Sequence, residues 1–461
     1  MTETAKILPK AFAVRFAQVK RWDPNSFHDI EWHWPASVMA AIGSVLGPRK
    51  EKVDRSENGF NDLMPVTIHF DGSIEPRKVS EDKEYTMELF WAQPGDIVVS
   101  KIDLKNGAVA IIPDGWDKVV VTNHFAVYEP DLKKLDPRYF HLLIQAKFFK
   151  EHLWRNKVGA EGRKEVKLDF FESLEVPIPS LSIQQKIVAH LFTAQISVTD
   201  AKVRAAQIEK EIQARFLADL GLPRPKRSTP PKSFAANWQS FERWSVGYNQ
   251  AIMSMIDLME GKYPVVELGS ILEMVQYGTS EKANTSEKGT PVLRMNNIKD
   301  GYLDYSNIKH VALPKKTRES LLLVDGDILF NRTNSKELVG KCAVFHSHDE
   351  YVFASYLIRV RPDKDRAISD FVVYCINSVI GRQQIDALSR QIIGQANINS
   401  QELRSLRLPL PPIDSQQEIM AHIERGRNEI VQQMETVTQL KSETQSEIEK
   451  MILGTLSVEE L

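Results

Sequence analysis

One stretch of the chain occurs twice, and a duplication restricts the possible folds more than composition does. Pro177-Ile178-Pro179-Ser180-Leu181-Ser182-Ile183-Gln184-Gln185-Lys186-Ile187-Val188-Ala189-His190 returns 232 positions later as Pro409-Leu410-Pro411-Pro412-Ile413-Asp414-Ser415-Gln416-Gln417-Glu418-Ile419-Met420-Ala421-His422, with no gap. A repeat of this length marks a duplicated half-molecule, because solenoid units run only about 20–50 residues. The prolines favour an extended segment. Ser182 then stands three residues before Gln185, and Asp414 three before Gln417. That is capping-box spacing, so a long helix is expected to start at each point. After the first cassette, small or apolar residues fall at Ile187, Leu191, Ala194, Val198, Ala201, Ala205, Ile208 and Ile212, in alternating steps of four and three. This is a heptad seam. The second copy gives Ile419, Ile423, Gly426, Ile430, Gln433, Val437, Leu440 and Thr444, the same seam interrupted at Gly426, Gln433 and Thr444. Gly221 and Gly454 are placed to stop the helices. Some 35 residues of helix make a rod of roughly 50 Å. Two matched rods are expected to pair with each other as a coiled coil.

The 461 residues suffice for two domains with proper cores, and 42% hydrophobic with 26% charged content describes an ordinary globular chain. No apolar run approaches the roughly 20 residues that span a bilayer, and Met1–Lys10 lacks an apolar signal core. Two cysteines, Cys342 and Cys375, cannot build a disulfide framework or a four-thiolate metal site. A cytoplasmic location, with no membrane contact, is the expectation. The net charge of −2 argues against binding nucleic acid by bulk charge, but leaves room for a local basic surface.

Short apolar runs between turn signals read as strands at Val66–Phe70, Ile97–Val99, Ala108–Ile112 and Val119–Val121. Helix is expected from about Pro137 to Trp154. The second half repeats the order: Gly326-Asp327-Ile328-Leu329 stands where Gly95-Asp96-Ile97-Val98 stood, followed by strands over Leu338–Phe345 and Val352–Val360 and helix from about Asp370 to Leu388. Ser240–Trp244 echoes Gln18–Trp22. The expected plan is α+β with an internal pseudo-two-fold repeat: domain 1–180, long helix 181–222, a Pro-rich basic linker 223–233, domain 234–411, long helix 412–456.

The second half carries a family resemblance. Its motifs in order are Tyr277-Gly278-Thr279-Ser280; Leu293-Arg294-Met295-Asn296-Asn297-Ile298; Gly326 through Lys341, including Asn331-Arg332-Thr333-Asn334-Ser335-Lys336; Gly394-Gln395-Ala396-Asn397-Ile398; and Leu408-Pro409-Leu410-Pro411-Pro412. This succession resembles the specificity (S) subunit of type I restriction–modification systems, over essentially the whole chain. The first half departs from it, with Ser100-Lys101-Ile102-Asp103 and Gly162-Arg163-Lys164-Glu165 at the matching places. The resemblance implies two target recognition domains, each reading half of a split, asymmetric double-stranded DNA sequence. It implies two long helices pairing antiparallel as a spacer. Two methyltransferase subunits and the motor-nuclease (restriction) subunits would be the partners. S-adenosylmethionine, ATP and magnesium would belong to those partners, with no cofactor or metal in this chain.

The chain carries no complete catalytic motif. Pro230-Pro231 and Pro411-Pro412 follow Thr229 and Leu410, so neither forms the Asn/Asp-Pro-Pro-aromatic motif of an adenine methyltransferase. Gly340-Lys341 approaches a phosphate loop, but Ser335 and Cys342 break the pattern. Glu337 and Lys341 resemble a fragment of a nuclease site and motivate the alternative of a self-contained nuclease. A second alternative is a coiled-coil adaptor that never touches DNA. His346 and His348 are expected on a strand as surface histidines. Reading base edges needs Arg, Lys, Asn and Gln on loops. The candidates are Arg294, Asn296, Asn297, Arg332, Asn334, Lys336, Gln395 and Asn397 in the second half, and Lys101, Arg163, Lys164 and Lys167 in the first. Gln184, His190, Gln416 and His422, being duplicated, are candidates for contacts with identical partner subunits.

Overall fold

The computed structural model describes residues 29–54, 56, 59, 62–77, 87–158, 165–224, 245–286, 288–299, 301–392 and 395–458. The linker from Pro225 onward, the Gln18–Trp22 and Ser240–Trp244 pair, and Gly162, Arg163, Lys164 and Gly394 lie outside them. The chain divides into two compact units: residues 1–201 with 435–461, and residues 202–434.

Each unit is built on a four-stranded antiparallel sheet of the same order. In the first unit it runs Leu46–Arg49, Phe125–Pro130, Ile97–Ser100, Val109–Ile111. In the second it runs Leu272–Tyr277, Leu357–Pro362, Ile328–Asn331, Cys342–Val344. The strand Ile97–Ser100 is buried along its length, and so is Ile328–Asn331. Side chains alternate across a strand, and here both faces are used. Ile97 and Val99 join one core with the helices, whereas Val98 joins another with Val66, Val119 and Val121. Likewise Ile328 and Phe330 face the helices while Leu329 packs with Val292, Phe345 and Val352. The sheet is thus the middle layer of three.

The outer β layer also matches. Met64–Ile68 pairs in parallel with Val119–Thr122 and antiparallel with Ile74–Pro76. Thr290–Leu293 pairs in parallel with Val352–Phe353 and antiparallel with Lys309–Val311. A two-stranded ribbon, Met39–Ala41 with Glu175–Pro177 and Val265–Glu267 with Arg407–Pro409, leads into each long helix.

Three local expectations are corrected. Each helical stretch is two helices, Pro137–Gln145 with Lys147–Arg155 and Ser369–Asn377 with Val379–Leu388. The break in the second falls at Ser378, whose hydroxyl accepts from the Ile380 N–H as an N-cap. The run Val352–Val360 is two strands separated at 354–356. The strand expected over Leu338–Phe345 covers only Cys342–Val344, because residues 335–340 form a turn. His346 therefore lies beyond the strand, paired to Asp325 and Asp370 at 3.2 and 3.0 Å.

The long helices span Leu181–Asp219 and Ile413–Leu453. Every seam position is buried or half-buried, and most residues between are exposed. Their pairing is antiparallel. In the first unit Ile187 and Val188 share a core with Ile448, Met451 and Ile452, and His190 Nε2 lies 2.8 Å from Glu447 Oε2. In the second, Ile208, Ile212 and Phe216 pack with Ile419 and Ile423, and Arg204 meets Glu429 at 3.2 Å. Gly426, which interrupts the seam, fills a purpose: a Cβ there would stand 2.7 Å from Ile212 Cδ1. Gly221 and Gly454, at φ 70° and 82°, sit just past the helix ends.

The helices start one residue before Ser182 and Asp414, so the expected capping boxes are not how they begin. The preceding glutamine instead ties each helix start to the loop beside it. Gln184 accepts from the Asp136 N–H at 2.8 Å and donates to the Lys134 and Pro179 carbonyls, both at 2.7 Å. Gln416 accepts from the Ile368 N–H at 2.9 Å and donates to Arg366 and Pro411 at 3.0 and 2.8 Å. Both side chains are fully buried. The expected partner contact at Gln184 and Gln416 is corrected accordingly: a 0% exposed amide cannot reach another polypeptide.

Candidate nucleic-acid interface

The loop after the buried central strand is the feature common to both units. In the second unit the strand ends at Asn331, which is 2% exposed. Its Nδ2 donates to the Leu338 carbonyl at 3.0 Å and its own carbonyl accepts from the Gly340 N–H at 2.8 Å. These bonds pinch the neck of the loop 332–341. Arg382, on the adjacent helix, braces it from below by donating to the Val339 carbonyl at 2.6 Å.

Arg332 is the first residue out of the neck. Thr333 and Asn334 pair with Asn397 and Ala396, and residues 395–397 pair in turn with Arg390–Ile392. Two motifs 65 residues apart are thus brought together: Arg332 Nη2 lies 3.5 Å from Asn397 Oδ1. The guanidinium also rests 5.0 Å from the centre of the Tyr277 ring. Tyr277 is pinned in turn, its hydroxyl accepting from the Ser400 N–H at 3.0 Å. The Arg332 Nε is buried with no hydrogen-bond partner. Asn334 is half-buried, its Oδ1 accepting from the Ser335 N–H at 2.8 Å, and Lys336 is exposed on the loop. Gln395 is placed by its backbone, opposite Ile392.

The Arg294 motif forms a second turn. The Ala354 N–H donates to the Leu293 carbonyl, and the Tyr356 carbonyl accepts from the Arg332 N–H, so segment 354–356 ties the two loops together. Asn296 is exposed and Arg294 half-buried, donating to the Asn307 carbonyl at 3.3 Å. Asn297 is a correction. It is 3% exposed, its Oδ1 accepts from the Arg294 N–H at 2.9 Å and its Nδ2 donates to the Asp304 carbonyl at 2.8 Å. It holds the turn and has no edge left for a base.

The first unit repeats the scaffold with different chemistry. The Lys101 N–H donates to the His124 carbonyl, as Arg332 does to Tyr356, and Val158 bridges Glu165 where Arg390 meets Asn397. Lys101 Nζ donates to the Asn123 carbonyl at 2.8 Å. Lys167 Nζ donates to Glu165 Oε1 at 2.6 Å. That hydrogen bond, with Lys105 and Lys101 nearby, holds the Glu165 carboxyl below the usual range. A lysine and a carboxylate thus occupy the places of Arg332 and Asn397. Arg163 and Lys164 lie outside the described residues.

The remaining candidates fall elsewhere. His190 and His422 lie on the long helices, His190 against Glu447 and His422 Nδ1 3.6 Å from Asp219 Oδ2. Each bridges to the opposite helix, a contact within the chain that their duplication alone did not reveal. Glu337 is exposed on the turn, and Cys342 and Cys375 are fully buried free thiols with raised pKa values from desolvation. Among the described residues no cluster of His, Cys, Asp and Glu could hold a metal, and no helix is long and apolar enough to cross a membrane. Tyr356 and Arg382 are site residues absent from the sequence reading, and Tyr277 and Glu165 stood there only within motifs, not as candidates. Exposed tyrosines at 41% and 51% are a signal visible only once burial is known.

Comparison with known proteins agrees with this architecture. The sequence pattern of the type I restriction modification DNA specificity domain matches twice, at residues 51–210 and 260–449. The type I restriction enzyme EcoKI specificity subunit of Escherichia coli is 27% identical over 287 residues, which span 61% of this chain and 57% of that subunit, little more than half its length. The StySPI specificity subunit of Salmonella potsdam is 25% identical over 337 residues, 71% of this chain and 67% of that one. A solved structure from work on complex assembly and conformational transition of the type I R-M system superposes at a TM-score of 0.61 with 17% identity, covering 91% of this chain and 98% of that chain. With two copies of the domain matched and two units of one topology, the chain belongs to the type I restriction modification DNA specificity family.

Proposed function

We propose that this chain is the non-catalytic DNA-reading subunit of a type I restriction–modification complex, with each unit reading one half of a bipartite, asymmetric target. One observation carries the reading: the same scaffold presents a loop and an antiparallel pairing at the same place in both units, but arms them differently, with Lys101, Lys167 and Glu165 in one and Arg332, Asn334 and Asn397 in the other. Fixed backbone with changed polar side chains is what reading two different sequences requires. The paired long helices act as the spacer between the readers and as the support for two methyltransferase subunits, with the restriction subunits joining the same cytoplasmic complex. S-adenosylmethionine, ATP and magnesium are used by those partners.

The test is to map methylated adenines in a host carrying the methyltransferase subunit, with and without this chain. The expected result is sequence-restricted methylation that disappears on deletion. Persistence of the same modified motifs without the chain contradicts the proposal.

A further inference from the structure

Arg332 stands out among the loop residues because its guanidinium is oriented before any ligand arrives. The guanidinium carbon lies over the Tyr277 ring, 5.0 Å from its centre, and Asn397 Oδ1 takes one Nη2 proton at 3.5 Å. The supports are themselves fixed, Tyr277 by the Ser400 N–H and Asn397 by its strand pairing to Thr333. With Oδ1 accepting from the arginine, the Asn397 amide has only its Nδ2 protons left to give. The pair therefore offers donors only. In the major groove only guanine shows two acceptors side by side, O6 and N7, and a planar arginine fork matches them. Adenine would set its amino group against a donor, and cytosine and thymine offer no such pair.

We infer that Arg332 reads a guanine in the half-site recognised by the second unit, with Tyr277 and Asn397 as the residues that position it. This rests on the proposed DNA-reading function. The first unit has Lys101 and Glu165 at the matching places, a point charge and an acceptor, so its half-site is not read by the same device.

The test compares Arg332→Lys and Tyr277→Ala with the wild type, each assembled with the methyltransferase subunit, by mapping methylated motifs and by selecting bound sequences from a randomised duplex library. Arg332→Lys keeps the charge and removes the fork. The expected result is that preference for guanine at one position of one half-site falls on the order of 10–100-fold, while the other half-site is unchanged. Tyr277→Ala should weaken the same position by less. Arg332→Ala is the harsher variant; should it abolish assembly, Arg332→Lys decides. An unchanged motif in Arg332→Lys, or loss spread evenly over both half-sites, overturns the guanine assignment and leaves the DNA-reading function standing. A wild-type complex that selects no sequence and directs no methylation overturns both.

Discussion

Gln184 and Gln416 each join three backbone groups that no secondary structure satisfies. The Gln416 amide links the turn before the Ser369–Asn377 helix to the proline that precedes the long helix. An unpaired buried donor or acceptor costs about 1–3 kcal/mol. Gln416→Ala is expected to destabilise the second unit by about 2–4 kcal/mol, read as a lower urea midpoint for that unit's transition. A loss under roughly 0.5 kcal/mol would show that water replaces the amide at no cost. The same scale shows what a sequence conceals. The duplication of these glutamines was plain, but duplication does not distinguish a buried lock from an exposed contact. Asn297 is the parallel case, an asparagine on a polar turn that spends both ends of its amide on that turn. Arg332, Asn334 and Asn397 were legible as polar loop residues, whereas the support from Tyr277 depends on chain segments more than fifty residues apart.

The elements followed the sequence most closely where periodicity was long. A seam of eight positions fixes which face of each long helix is buried, and the observed burial follows it through Gly426, Gln433 and Thr444. What the spacing could not say is that Gly426 admits Ile212. Gly426→Val would gain helix propensity of a few tenths of a kcal/mol but force at least one branched methyl into the space Ile212 holds. Overpacking costs about 1–3 kcal/mol, so the net effect should be destabilising, with a lowered melting temperature for the second unit. Restoration by Ile212→Ala in the same chain would confirm that the clash is at this contact; a variant as stable as the wild type would refute it. Short elements were less legible. The strand over Leu338–Phe345 shrank because Asn331 draws residues 338–340 into its own turn. The second helical stretch split where Ser378 offered a cap, and the first at Ala146 without a side-chain cap.

At the scale of the whole molecule, the repeat seen in fourteen residues extends to sheet order, strand direction and helix pairing in both units. Buried carboxylates show how far the plan is kept and where it drifts. Asp96 and Asp327 hold the turn before each central strand, but Asp96 is met by Arg49 and Asp327 by Arg361 and Arg359, from different strands. The scaffold tolerates a changed partner as long as the buried charge is paired. On the proposed reading, the loops carry the differences and the rest is kept. The most direct measurement is the methylation motif of the assembled complex with the loop at 101–106 altered in one variant and the loop at 332–338 in another. The account predicts a bipartite motif in which each change rewrites one half and leaves the other intact. Changes that alter both halves together, or neither, would contradict it.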